Sequence, residues 1–421
     1  MATLDNASAI STEIERVTPL VEDFYEIDDT FFGTIDKDAN VEAISNRDMR
    51  VPLKLRPGGY FGQFSSNGGG LGRGSGTQYD KAVIDTVGLK YACEWTKDAE
   101  WGSDSTRKGV VNTFQKMLAD GMPQFRSDTD KLCMQAGTGV LGTASAISTA
   151  LGVDTVTLNS DGFGAMLLRF GLKVNVYNAA LTTNRTVGSE TEITFYDPIN
   201  KIINLTPAVA GIIATDVIVL SGLSGANPTT LKGVPYHNSN ASTGTWLGLS
   251  RVTNPEIRST GINAAGAFQP PQARLLINKM MNRIGKSKVK KLPLKAWMNP
   301  CQQDAYEQAG QLVSIIQKQA KDENLDLFFG DGMQMAGAPI QTSIHWDMTR
   351  IDFLIDSFWG RAEMHPAGFY EVGGRKFWET RDPSGGVATS QLFYLVAKWN
   401  LFCKNPATAG YIYGLTTPTG Y

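Results

Sequence analysis

The stretch GGYFGQFSSNGGGLGRGSGTQ, Gly58 to Gln78, has nine glycines in the nineteen residues from Gly58 to Gly76. Glycine accepts either sign of φ and loses the most freedom when fixed, so such a run cannot hold one shape by itself. The segments on either side, MRVPLKLRPG and QYDKAVIDTVGLKYACEW, alternate apolar and polar residues as half-buried strands do. Together they predict one long hairpin with a flexible tip. Limbs of about 15–20 residues at about 3.3 Å each would reach on the order of 50–60 Å, further than a compact lobe needs. A two-stranded ribbon is marginal in water, so this one is expected to lie against another surface. Tyr60, Phe61, Phe64 and Arg73 stand among the glycines, with Gly68, Gly69 and Gly70 at the centre. The rings either bury within the subunit or touch a partner.

Glycine-rich loops also cradle phosphates, but this one contains neither GxGxxG nor GxxxxGK[ST] and has no lysine. Catalytic patterns are missing elsewhere too. His237, His345 and His365 have no metal-like neighbours, and HExxH and GxSxG do not occur. The pairs Asp28-Asp29, Asp128 with Asp130, and Asp322-Glu323 suit solvated faces. Cys93, Cys133, Cys301 and Cys403 are far apart and read as reduced, mostly buried thiols. No catalytic residue, metal or cofactor is expected. The densest basic run, NRIGKSKVKKLPLK, holds Arg283, Lys286, Lys288, Lys290 and Lys291. It suits phosphates or an acidic neighbour, or equally a cationic helix C-terminus running into a solvated turn.

At 421 residues, with 42% hydrophobic and 19% charged, the chain has material for two to four lobes. A net charge of −2 excludes binding nucleic acid by bulk attraction, and no run nears the ~20 apolar residues of a membrane helix. Residues 1–46 are polar, with a thin apolar stripe, and read as an arm. Apolar positions from Val110 to Cys133 keep a helical period that Gly121 and Pro123 interrupt, so a kink or two abutting helices are expected near Ala119–Met122. Residues 153–249 hold short strands such as TVTL, LKVNVYN and DVIVLSG with even turns, predicting a small antiparallel barrel or sandwich. QARLLINKMMNRIG is helical, AWMNPCQQDAYEQ is a strand breaking into a helix, and the remainder is strand-rich and aromatic.

Arm, long hairpin, long helix, β-rich body and closing strand, in that order, resemble the major capsid protein of tailed bacteriophages, the Hong Kong ninety-seven type fold. Three motifs carry the likeness: AWMNPCQQDAYEQ with Asn299 and Pro300, QMAGAPIQTS with Gly337 and Pro339, and WNLFCKNPATAGYIYGL with Pro406. The resemblance implies an α+β chain: arm 1–46, extended loop 47–104, spine helix 105–152 of a peripheral domain, β-rich insertion 153–249, peripheral domain 250–324, axial domain 325–390 and closing peripheral strand 391–421. It implies a structural protein of the virion that joins copies of itself as pentamers and hexamers. Its partners would be portal and scaffolding proteins, a decoration or cement protein, and packaged double-stranded DNA held without sequence preference, with assembly in the host bacterial cytoplasm and no membrane. Some members weld subunits through an extended-loop lysine. Lys54 and Lys81 sit on the limbs instead, so no such crosslink is expected. With a short segment before the hairpin, a separate scaffolding protein is expected and not a built-in scaffolding domain. Rival readings are an encapsulin-like compartment and a soluble multidomain enzyme.

Overall fold

The computed structural model describes residues 29–37, 42–43, 48–63, 73–97, 113–159, 168–186, 190–223, 225–286, 289, 293–318, 334–381 and 387–418. These divide into two compact units, each drawn from three stretches of chain: Met1–Gly33, Val87–Asp130 and Glu363–Trp399 in one, Thr34–Thr86, Lys131–Ala362 and Asn400–Tyr421 in the other.

In the first unit, strand Val87–Thr96 pairs antiparallel with the long strand Val387–Cys403, from Val87 opposite Trp399 to Thr96 opposite Ser390. Strands Phe377–Arg381 and Trp359–Phe369 complete a four-stranded sheet. Alternation along the long strand buries Phe393, Leu395, Ala397 and Trp399. Helix Thr113–Cys133 lies on that face, with Gly121 against Phe393 and Leu395. The short helix Thr30–Thr34 adds Phe32, whose ring lies 5.5 Å from that of Trp399. The Phe32 N–H donates to the buried carboxylate of Asp130 at 2.7 Å.

Two expectations change here. The long helix is unbroken through Gly121 and Pro123 from Thr113 to Cys133. Proline forfeits one backbone hydrogen bond, and burial of Phe125, Leu132 and Cys133 along the same helix outweighs it. The hairpin is also shorter than the alternation suggests. Its limbs are Asp48–Arg56 and Gln78–Asp85, and beyond Thr86 the alternating pattern continues into Val87–Thr96, which pairs elsewhere.

The second unit contains a closed antiparallel barrel, in strand order Val217–Leu220, Val140–Ala150, Val153–Leu158, Ile202–Thr206, Thr191–Asp197 and Lys173–Tyr177. Its interior is apolar, with Val156, Val174, Val176, Ile193, Ile203, Leu205 and Ile218 fully buried. Closure leaves no sheet edge. The barrel starts at Val140 and ends at Leu220, a correction to the 153–249 expected. VLGTASAISTA is built mostly of small residues with little hydrophobic alternation, so its strand character is not visible in sequence.

A six-stranded sheet runs Thr260–Gly266, Gly410–Leu415, Ile351–Ile355, Leu294–Met298, Ala338–Thr342 and Gln334–Met335. Leu294–Met298 and Ala338–Thr342 are parallel neighbours joined through helix Pro300–Lys318, the crossover that parallel strands require. Helix Pro270–Ile284 buries Ala273, Leu276, Ile277 and Met280 in the same core. The expected boundary at 324/325 therefore divides partners in one sheet, because strand neighbours are set by the crossover and not by sequence order. Likewise Val387–Cys403, expected at the start of a closing segment at 391, belongs to the sheet of Val87–Thr96.

Two buried positions in this unit carry predictions. A Cβ on Gly233 would fall 2.2 Å from the Cys133 carbonyl oxygen and 2.4 Å from that of Gln135, which accepts the Gly233 N–H. Backbone cannot yield as a side chain can. Gly233→Ala is expected to cost about 3 kcal/mol, the upper end of overpacking costs, read as a lowered urea midpoint.

His237 is fully buried, its Nδ1 accepting from Trp246 Nε1 at 3.0 Å and its Nε2 donating to the Leu401 carbonyl at 3.0 Å. Burial pushes its pKa down from 6.5 to about 3. Between those values the unfolded chain takes up a proton that the folded ring refuses. The stabilisation is complete above pH 6.5 and declines as pH falls, by up to about 1.4 kcal/mol per pH unit. His237→Gln is expected to flatten the loss of stability between pH 7 and 5, measured by urea unfolding at both.

Candidate assembly interface

The hairpin limbs pair from Asp48 opposite Asp85 to Arg56 opposite Gln78, with a register shift between Lys54 and Arg56. The lower half is anchored on its own subunit. Met49, Val51, Ala82 and Ile84 are buried with Trp246, Leu247, Leu249 and Phe402. The likeness implies a ribbon laid over a neighbouring copy; its base packs on its own chain instead. The outer edge of the second limb is also closed to passing strands. Val83 N–H donates to the Leu247 carbonyl at 2.9 Å, and Lys81 N–H donates to Asp80 Oδ1 at 2.8 Å.

Arg56 marks where anchoring ends. Its Nε donates to Glu256 Oε1 at 2.7 Å and its Nη2 to the Thr253 carbonyl at 2.9 Å. The bond from Arg56 holds the Glu256 carboxyl below the usual range, with desolvation opposing it. Past this stake the chain is open to solvent: Tyr60 is 70% exposed and Phe61 102%. Arg73 is exposed as well. At Gly58 the two limbs approach so closely that a Cβ would lie 2.5 Å from the backbone of Ser75, Gly76 and Thr77, so this glycine is there for room as well as for freedom. Gly59 N–H donates to the Ser75 carbonyl at 2.8 Å just above. Phe64, Gly68, Gly69 and Gly70 lie outside the described residues.

The motif residues are structural. Asn299 is buried, and its Oδ1 accepts from Cys301 N–H at 3.1 Å at the start of the helix, with Pro300 in its first turn. Its Nδ2 donates to the carbonyls of Ile344 and Trp346. Gly337 follows Ala336 in a two-residue turn with φ of +89° and +52°, joining Gln334–Met335 to Ala338–Thr342. Pro339 lies in the second of these strands, exposed, and opposite Gln334. Pro406 is buried in a short 3₁₀ turn whose cap, Asn405, accepts from Ala407 N–H at 3.2 Å.

In the basic run, Arg283 Nη2 donates to the Pro255 carbonyl at 2.8 Å and Lys286 is exposed; Lys288, Lys290 and Lys291 lie outside the described residues. Partial desolvation of its guanidinium lowers the Arg283 pKa, and Arg258 lowers it further. Among the described residues no group of His, Cys, Asp and Glu is placed to hold a metal, and no helix is long and apolar enough to cross a membrane. Cys133, Cys301 and Cys403 are buried and none of the four cysteines is in a disulfide. Burial pushes Cys403 up to about 12 and Cys301 to about 11, away from nucleophilic use. Sequence reasoning missed the Arg56–Glu256 stake, for which a separation of 200 positions leaves no local signal.

No protein-family model and no curated protein matches the chain. Solved structures do match. A chain of the cyanophage A-1(L) capsid asymmetric unit is similar over 95% of this chain and 96% of its own, at 12% identity and a TM-score of 0.58. The chain has a phage capsid fold. Looser likenesses, which add nothing to that assignment, join it to the mature capsid of bacteriophage PhiM1 (9% identity, TM-score 0.48, covering 96% and 91%) and to the capsid of a native GTA particle (12%, 0.45, 98% and 100%). Within the capsid fold, the hairpin tip is where apolar rings meet solvent beyond a firmly held base.

Proposed function

We propose that the chain is the major capsid protein of a tailed bacteriophage, closing as hexamers and pentamers into an icosahedral shell around double-stranded DNA. The observation that carries this is the full-length likeness to a chain of a phage capsid asymmetric unit. In this reading the anchored base fixes the direction of the hairpin and the tip docks on a neighbour. Repeated heterologous contacts around symmetry axes close a shell, and glycine lets one tip meet several neighbours. Helix Thr113–Cys133 serves as the spine, the barrel as the insertion, and the two units as the peripheral and axial parts. Portal, scaffolding and decoration proteins complete the particle in the host cytoplasm.

Size-exclusion chromatography and negative-stain microscopy of the purified chain test this. Megadalton shells or hexamer rings are expected; a monodisperse monomer at high concentration would sink the reading. Lys54 and Lys81 lie opposite Tyr79 and Pro52 on the limbs, away from the tip. Denatured shells should therefore run as a single 45.7 kDa band, and covalent ladders would contradict this.

A further inference from the structure

Charge is distributed very unevenly along this chain. The 47 residues Ile257–Gln303 contain nine of the 39 Lys and Arg and none of the 41 Asp and Glu, leaving −11 on the rest of a chain whose net charge is −2. Helix Pro270–Ile284 crosses the middle of that segment. It buries Ala273, Leu276, Ile277 and Met280 and exposes Arg274, Asn278, Lys279, Asn282 and Arg283, with Lys286 just beyond its end.

The cations differ in how far they are already committed. Arg258 donates to the Arg251 and Ser242 carbonyls, Arg283 to the Pro255 carbonyl, and Lys295 pairs with Asp356 at 2.6 Å. Arg274, Lys279 and Lys286 are exposed and have no carboxylate partner among the described residues. The helix dipole favours cations near the last turn, which accounts for Arg283 and Lys286. It does not account for Arg274, five residues from the start, nor for the absence of any carboxylate on a solvent-facing helix.

We propose that this exposed helix face is a contact surface for the phosphate backbone of double-stranded DNA, with Arg274, Lys279 and Lys286 as its free cations. The proposal rests on the shell reading and names the surface that faces the contents. Charge complementarity selects the partner, and Asn278 and Asn282 between the cations add neutral donors of the kind that bond phosphate oxygens. From Arg274 to Arg283 the helix rises about 14 Å, the length of about four base pairs at 3.4 Å each. The contact reads charge and not sequence.

The test measures binding of a fluorescent 30-base-pair duplex to the purified full-length chain between 50 and 200 mM salt, for wild type and R274Q/K279Q/K286Q, with poly-glutamate as a second probe. The slope of log affinity against log salt is expected to be shallower by about 2.7 in the triple variant, about 0.9 for each lost phosphate contact. R274K/K279R/K286R should keep the wild-type slope. An unchanged slope in the glutamine variant overturns the proposal. So does a variant that loses poly-glutamate but keeps DNA, which would give the face to an acidic protein segment. Microscopy of the same samples separates the two readings: shells that form normally while the slope is unchanged sink only the DNA surface, whereas absence of shells from the wild type sinks the shell itself.

Discussion

A subunit carrying Tyr60→Ser and Phe61→Ser is expected to purify folded and fail to close into shells. Both rings are in solvent in the isolated subunit, Phe61 entirely, so the fold loses nothing when they go. Docked on a neighbour, each would bury an aromatic side chain contributing about 1.5–3 kcal/mol, or about 3–6 kcal/mol per tip. At about 1.4 kcal/mol per tenfold, that lowers the association constant of each contact by roughly 10²–10⁴, and a closed shell repeats the loss at every subunit. Sedimentation and microscopy should show free subunits or small oligomers, with an unchanged melting temperature. Normal yields of closed particles would show that the tip carries no assembly energy. The Arg56 stake sharpens the comparison: Glu256→Gln, which loosens the limb at Arg56 while the buried base stays packed, should reduce shell yield through loss of direction while leaving the rings intact.

Asp352→Ala should damage the fold itself more than any other single replacement considered. Asp352 is 1% exposed and lies at the centre of a buried polar knot. It accepts from Asn238 Nδ2 at 2.6 Å, from Trp346 Nε1 at 3.0 Å, and from Arg350 through Nε at 2.8 Å and Nη2 at 2.6 Å. The Arg350 guanidinium also lies 4.0 Å over the Tyr411 ring and donates to the Asn238 carbonyl. Desolvation lowers the Arg350 pKa and the charge and hydrogen bonds of Asp352 more than offset it, leaving the pKa raised. Removing the carboxylate leaves a buried cation without its counter-charge, a loss of about 3–5 kcal/mol. Against a typical total of about 5–15 kcal/mol, this should show as insoluble protein or a much lower urea midpoint. Asp352→Asn keeps an acceptor and should fall between. A loss under about 1 kcal/mol for alanine would mean the knot relaxes or takes in water.

Legibility followed the range of the interactions. The hairpin, the long helix, the antiparallel barrel and the Asn299-Pro300 helix start were visible because alternation, helical period and capping residues act within a few positions. Val140–Ala150 was hidden because small residues carry no pattern. The parallel pairing of Leu294–Met298 with Ala338–Thr342 was hidden because a crossover connects strands that sequence order separates. Of the candidate interface, the rings and glycines were visible and their exposure was not. Alternation in MRVPLKLRPG says that one face is buried, and only the packing of Met49 and Val51 under Trp246 shows that the chain covers it itself.

The interleaving of the two units sets a schedule for synthesis. Strand Val87–Thr96 has its pairing partner in Val387–Cys403, about 290 residues downstream. At about 5–20 residues per second, a ribosome leaves the earlier strand waiting roughly 15–60 s for it. The first unit therefore cannot mature as a nascent fragment, and a truncated product would display an unsatisfied strand to everything nearby.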